Sequence, residues 1–366
     1  MRRTLWTAVT LGAAATLAAA AAPAAASTPT PAHWHVIYQH QFGGFSLFTA
    51  IRPGGPGEMW AAGGHGAAGN GLASAVLWKN RAWHVTPVPE PTTLGTITAI
   101  SADSASDAWA VTANGYVIRW NGRHWRIARR LPEPQQGPPG DQPTGVLAVS
   151  ARDVWVFYPT WRDPRGRVHG GALHELNGRW HPVTGRGRSV IAASEVTRSD
   201  LWAIGGSVSH AGLLRLARGR WQPISVPGSA GITFTSVLAQ RSGTVWALGW
   251  PAKGTGPGTL MRLSGSNWSR YPLPSALQQG PFSGTTALAH DGHGGLWITV
   301  PAFYPHGGHL LHFTRGTWQP VNFAANVNAD SVVTVPGTNT LCAAGEKANY
   351  STGNGPAVVW STGRSC

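Results

Sequence analysis

The sequence predicts an all-β fold, a seven-bladed β-propeller of four-stranded antiparallel blades. Three observations carry that prediction. A tryptophan phrase recurs at blade-length intervals, each interval holds four strand-like phrases, and the two ends of the chain complete one another. The phrases centre on Trp60 (GEMWAAG), Trp109 (SDAWAVT), Trp155 (RDVWVFY), Trp202 (SDLWAIG), Trp246 (GTVWALG) and Trp297 (GGLWITV), with a degenerate seventh at Leu341 (TNTLCAA). Their spacings are 49, 46, 47, 44, 51 and 44 residues. A period of roughly 40 to 50 residues rich in short strands is that of a propeller blade.

Within the second unit the strands read Thr96 to Ser101, Ala108 to Thr112, Tyr116 to Trp120 and Trp125 to Ala128. Alternation and β-branched content select strand over helix, and Asn114-Gly115 and Asn121-Gly122 supply turns between them. The third and fourth strands repeat as VIRWNGRHW, ALHELNGRW, LLRLARGRW, LMRLSGSNW and LLHFTRGTW, closing on Trp125, Trp180, Trp221, Trp268 and Trp318, as Trp83 closes the first unit. Tryptophans at the second- and fourth-strand positions are expected to pack between adjacent blades. The residues two before the core position, Glu58, Asp107, Asp153, Asp200, Thr244 and Asn339, are expected to cap turns.

His33 to Tyr38 reads as a fourth-strand phrase with no strand before it, and Ala357 to Trp360 as a third-strand phrase with none after it. The N-terminal strand should therefore complete the last blade and remove a free sheet edge. Cys342 falls early in the second strand of that blade, and Cys366 follows its third. Antiparallel pairing puts both on one side, so a Cys342–Cys366 disulfide is expected.

Residues 1–26 carry Arg2 and Arg3, an apolar run from Leu5 to Ala22 and a small-residue site at Ala24-Ala25-Ala26, the pattern of a secretory signal peptide. Residues 27–32 form a short linker, and the propeller occupies 33–366. No second apolar run reaches the roughly 20 residues that span a bilayer. An exported chain, free of the membrane and monomeric, is expected. The formal charge of +14 becomes about +12 once Arg2 and Arg3 are removed. That charge favours an anionic cell-envelope polymer or acidic glycan as partner, with another secreted protein as the alternative and no nucleic acid. Arg81, Arg123, Arg179 and Arg220 recur in the turn before a closing tryptophan and read as solvated surface.

The phrases S-x-D-x-W-A-V and N-G-x-W resemble those of secreted bacterial propellers grouped with Asp-box, kelch and tectonin repeats. Asp291 to Ile298 (DGHGGLWI) is similar to the blade signature of two-component-regulator sensor propellers. The resemblance covers nearly all of residues 33–366 and implies the architecture; these families perform unrelated functions on one scaffold.

Second-to-third-strand loops vary in length while the other turns are short, and variable loops on a rigid scaffold are where function sits. They hold His65; Trp161, Arg162, Arg165 and His169; His210; Trp250 and Lys253; and Tyr304 and His306. Trp161 and Trp250 lie outside the repeated core positions, which suits them to stack on sugar rings, with Arg162, Arg165 and Lys253 meeting anionic groups. No catalytic set is expected. The scattered carboxylates Glu90, Glu133, Asp141, Asp163, Glu175, Glu195 and Glu346 form no pair in sequence, and no serine has a nucleophile-elbow context. His306, His309 and His312 alternate faces on a strand, and His290 and His293 lie nearby without a converging spacing, so neither a metal nor any cofactor is expected. The alternative to a binding module is a polysaccharide hydrolase or lyase on the same scaffold, marked by two facing carboxylates at the channel mouth, or a protein–protein interaction scaffold.

Overall fold

The computed structural model describes residues 33–366 apart from 67–70, 132–144, 163–164, 166–167, 184–188, 198–199, 208–209, 218–219, 254–255, 275–277, 280–286, 301–308, 322–326 and 348–353. Seven four-stranded antiparallel sheets form the blades of a β-propeller. From inner to outer strand, blade 1 is Phe45–Gly55, Glu58–Gly66, Leu72–Lys79 and Ala82–Val85, and blade 2 is Ile97–Ser104, Asp107–Thr112, Tyr116–Trp120 and Trp125–Arg130. Blade 3 is Gly145–Ser150, Asp153–Arg162, Val168–Leu176 and Arg179–Val183, and blade 4 is Ser189–Thr197, Asp200–Ser207, His210–Ala217 and Arg220–Ile224. Blade 5 is Ile232–Ala239, Val245–Pro251, Thr259–Ser264 and Asn267–Pro272, and blade 6 is Leu288–His290, Leu296–Val300, His309–Thr314 and Thr317–Val321. Blade 7 takes Val327–Thr334, Leu341–Lys347 and Ala357–Ser361 from the C-terminal end and His35–His40 from the N-terminal end.

The ring closes as its ends require. His35–His40 pairs antiparallel with Ala357–Ser361, from His35 opposite Ser361 to His40 opposite Ala357. Cys342 and Cys366 form a disulfide with a Cα–Cα separation of 5.9 Å. Both are buried in a cluster with Phe48, Ile51 and Met59, so the bridge sits where blade 7 meets blade 1.

Tryptophans weld the blades. The second-strand indole of one blade packs edge-on against the outer-strand indole of the next: Trp60 on Trp125 at 5.4 Å, Trp109 on Trp180 at 6.1 Å and Trp155 on Trp221 at 5.7 Å. Trp34 meets Trp297 of blade 6 in the same way at 5.9 Å, so a residue from the chain's start fills the fourth-strand tryptophan position of blade 7. T-shaped pairs of this kind add about 0.5–1.5 kcal/mol beyond area burial.

Of the residues two before the core tryptophans, Glu58 accepts from the turn amide of Ala105 as expected, whereas Asp107, Asp153 and Asp200 bond side chains of the third strand, which corrects the sequence expectation for these three. In blades 2 to 6 register places an arginine or histidine of the third strand opposite the core tryptophan: Arg119 opposite Trp109, His174 opposite Trp155, Arg215 opposite Trp202, Arg262 opposite Trp246 and His312 opposite Trp297, while Trp60 of blade 1 faces Leu77. Each lies on its indole, from 4.0 Å for His174 to 5.3 Å for Arg215. In three blades the acid then anchors that side chain: Arg119 Nε donates to Asp107 at 2.6 Å, His174 Nε2 to Asp153 at 2.8 Å and Arg215 Nε to Asp200 at 2.8 Å. In blade 6 the acid is Asp291, reached by His312 Nε2 at 3.0 Å. The carboxylates face across the sheet because in a strand residues two apart share a face. Burial pushes the Asp107 carboxyl up, and the Arg119 guanidinium and the Trp109 indole only partly offset it. Burial acts the same way on Asp291, but His312 and the amides of His293 and Gly295 outweigh it and hold that carboxyl below its ordinary value.

Candidate functional site

Antiparallel order puts all first-to-second and third-to-fourth turns on one face of the ring and the second-to-third loops on the other. Those sequence-predicted site residues whose backbone is described lie at the second, loop-rich face. Blade 3 gathers four of them on one hairpin: Trp161 pairs with His169 across the strands, Arg162 pairs with Val168, and the exposed Arg165 lies in the connection. His210 pairs with Ser207 at the end of the blade 4 hairpin. The side chains of Trp161, Arg162, His169 and His210 lie outside the described residues, as do Tyr304 and His306 altogether.

Two of the expected residues are placed against their reading. Trp250 is only 4 % exposed and belongs to a core cluster with Trp246, Leu248 and Leu260. Gly258 is kept small by it, since a Cβ there would come within 2.9 Å of the Trp250 ring. Its ring is a core element of blade 5 and not an exposed loop aromatic. His65 is half-buried, bonded to Ser74 Oγ at 2.6 Å and stacked on Phe42 at 5.6 Å, and burial lowers its pKa. A neutral imidazole tied into the blade 1 edge contributes shape rather than charge. Lys253 is exposed just beyond the Val245–Pro251 strand.

Against blade 3, at Trp180 and Tyr158, lies a basic surface that the sequence expectation did not single out. The outer strand of blade 2 exposes Arg126, Arg129 and Arg130. Arg129 lies over the Trp180 ring at 5.5 Å and Arg130 over Tyr116 at 5.6 Å, so the aromatic faces fix the guanidinium stems while the strand stays on the surface. Among the described residues neither Arg126 nor Arg129 has a carboxylate within ion-pair distance. The signal was present as WRIARR, a fourth-strand phrase far more basic than its equivalents.

The channel holds the other feature. Inner strands of blades 1, 2 and 5 each carry a bulged threonine, and its hydroxyl donates to a second-strand carbonyl: Thr49 to Ala62, Thr98 to Val111 and Thr235 to Leu248. In blade 7 the bulged residue is Asp330. Only a protonated carboxyl could donate from that position. Burial raises its pKa to about 8, with the neighbouring Glu346 carboxylate adding to the rise. Asp330 keeps some accessible surface, but that surface belongs to an inner strand deep within the protein. Glu346 is buried and also raised by burial, opposed by the hydrogen bond that Asn328 Nδ2 donates to it at 2.8 Å. Asn328 and Glu346 are cross-strand partners toward the loop-rich end of the blade. Glu346 was among the scattered carboxylates of the sequence; Asp330 was not singled out, although it stands in the phrase where Thr49, Thr98 and Thr235 stand in other blades.

The pair has a measurable consequence for stability. A carboxyl whose folded pKa exceeds its unfolded value binds a proton in the folded state that the unfolded state has lost. Stability is therefore expected to fall as pH rises from 3.8 toward about 8, and Asp330→Asn should flatten that slope and stabilise the protein at the alkaline end. Urea unfolding across this window checks it; a variant slope equal to the parent's would show that Asp330 titrates normally.

No family model and no curated protein matches the sequence. Solved structures match the fold. A structure of YCF48 bound to D1 peptide superposes with a TM-score of 0.55 at 14% identity, covering 92% of this chain and 97% of that one. Virginiamycin B lyase from Staphylococcus aureus with quinupristin superposes at 0.57 with 11% identity, covering 89% and 99%. The extracellular domain of the putative hybrid two-component system BT3049 from B. thetaiotaomicron gives 0.51 at 12% identity, over 86% of this chain and 40% of that one. This chain shares with them the propeller fold.

Proposed function

We propose that the protein is a secreted, non-catalytic binding propeller that recognises a glycan or anionic cell-envelope polymer on its loop-rich face. The carrying observation is the exposed arginine run on the outer strand of blade 2, whose Arg129 lies over Trp180 and acts on Tyr158 of blade 3, the blade whose second-to-third-strand hairpin bears Trp161, Arg162, Arg165 and His169. An extended polyanion follows such a strip by charge, and Trp161 supplies a ring for stacking. A disulfide at the ring closure and the absence, among the described residues, of any helix able to cross a membrane agree with export. The structural neighbours include a peptide-bound propeller and a sensor domain, which is consistent with binding as the role.

The experiment is retention of the mature protein on a panel of bacterial and plant polysaccharides, with product release assayed in the same wells. Saturable binding that weakens with salt is expected, because exposed charge pairs are screened over a Debye length of about 8 Å at physiological ionic strength. Arg129→Ala combined with Arg130→Ala should weaken it about 10- to 100-fold, the loss of one or two charge-assisted contacts. Binding that ignores both salt and these substitutions would refute the site.

A second reading has its own observation. Asp330 and Glu346 are neighbouring carboxyls of raised pKa in the channel, and one held protonated near neutral pH is a candidate general acid. The neighbour that is a lyase shares the scaffold. New reducing ends or unsaturated products that disappear in Asp330→Asn would favour a hydrolase or lyase.

A further inference from the structure

The cross-strand partner of the closing tryptophan on the third strand is apolar in five blades: Trp78, Trp120, Leu216, Leu263 and Phe313. In blade 3 it is Glu175, opposite Trp180. Glu175 is 5 % exposed. One carboxylate oxygen accepts from the Gly178 amide, and the other has no hydrogen-bond partner among the described residues. A carboxylate placed where the repeat calls for leucine or an aromatic costs stability, because its desolvation is only half compensated. Its one bond, to the turn amide of Gly178, leaves the second oxygen unused by blade 3 among the described residues.

Beside Glu175 is a cavity of about 530 Å³ lined by Arg119, Ala151, Arg152, Glu175, Asn177 and Gly178. It opens on the short-turn face between blades 2 and 3, opposite the loop-rich face. Arg119 is locked there: its Nε donates to Asp107, its Nη2 to the Ala151 carbonyl at 3.2 Å, and its plane lies 4.9 Å from the Trp109 ring. Arg152 is exposed at the rim.

We propose that this cavity is a second binding site, for a sugar acid: a ring bearing vicinal hydroxyls and one carboxylate. The unpartnered Glu175 Oε2 is shielded from solvent, and a carboxylate rotated toward the cavity takes a hydrogen bond from a ligand hydroxyl, which can in turn accept from Asn177. Arg152 and Arg119 offer positive charge for one carboxylate. A phosphate brings acceptors only and would leave Glu175 repelled. A lone amine would meet two guanidiniums. The volume admits one sugar ring with room for a glycosidic link. The site is independent of the loop-rich face.

Ligand-observed NMR and titration of the mature protein with glucuronate and with a short oligogalacturonide test the proposal. Glucose serves as neutral control and glutamate as zwitterionic control. Either acid is expected to bind and glucose to bind at least tenfold more weakly. Glu175→Leu, which restores the residue type of the other blades, should lose at least tenfold in affinity while its unfolding midpoint rises by several degrees. Glu175→Gln and Arg152→Ala should weaken binding with the fold intact. Preference for the oligomer places the ligand at a chain end; equal affinity makes it the free acid. The proposal is overturned if neither acid binds, if Glu175→Leu binds like the parent, or if glutamate outcompetes both acids. It is also overturned if Arg129→Ala/Arg130→Ala, rather than Glu175→Leu, abolishes binding, which would move the ligand to the loop-rich face.

Discussion

Trp60→Ala is expected to destabilise the protein by about 3–5 kcal/mol, the cost of emptying a fully buried indole site. Trp60 is 0% exposed and packs edge-on against both Trp120 and Trp125 of blade 2, at 5.6 and 5.4 Å. Its loss opens a cavity at a blade junction whose walls are strands held by their own ladders, so collapse into the space is limited. Trp60→Phe should cost far less. The Trp60 indole nitrogen is buried without a protein acceptor, so phenylalanine removes an unsatisfied donor along with some volume. The pair Trp60→Ala with Trp125→Ala should cost less than the sum of the two, since both remove one contact. Denaturant midpoints measure all of these. Equal losses for Trp60→Ala and Trp60→Phe would show that volume at this junction does not set stability.

Opening the Cys342–Cys366 bridge is expected to cost about 3–4 kcal/mol, the chain entropy released on freeing a loop of this size. The bridge spans 24 residues and includes the whole third strand of blade 7. The loss should exceed that of a surface disulfide because Cys342 and Cys366 are themselves buried, at 0% and 4 % exposure, against the blade 1 side chains Phe48, Ile51 and Met59. Reduction frees the last residues from that junction just where the N-terminal strand must hold its partner Ala357–Ser361. Urea unfolding of the parent with and without reductant, beside Cys342→Ser/Cys366→Ser, measures the effect. A reduced protein as stable as the oxidised one would mean that the His35–His40 ladder closes the ring unaided.

Much of the architecture could be read before any coordinates. Blade number followed from the interval between core tryptophans, and closure followed from a fourth-strand phrase without a unit before it. The disulfide followed from the side of the sheet on which two cysteines must emerge. Each is a consequence of short-range periodicity, because side chains alternate along a strand and every blade reuses the same alternation. The loop-rich face was legible for the same reason, since loop lengths are counted directly.

The chemistry was not legible in this way. Trp250 lies one step past the repeated phrase and looked free, but it stands four residues after Trp246 on one continuous strand, so alternation turns it to the same face and into the blade 5–blade 6 cluster. Asp107, Asp153 and Asp200 looked like turn residues, yet cross-strand register aims them at Arg119, His174 and Arg215. Asp330 and Glu346 stand 16 positions apart in sequence and meet because a bulge turns one toward the neighbour of the other. Glu175 and Arg119 line one cavity from different blades. The sequence alone thus determined the repeat, the blade count, the closing strand and the bridge, since these depend on local pattern. Which charges meet, which aromatics are covered and where a cavity opens were decided only by the tertiary structure, because those contacts are set by register, bulges and the packing of one blade on the next.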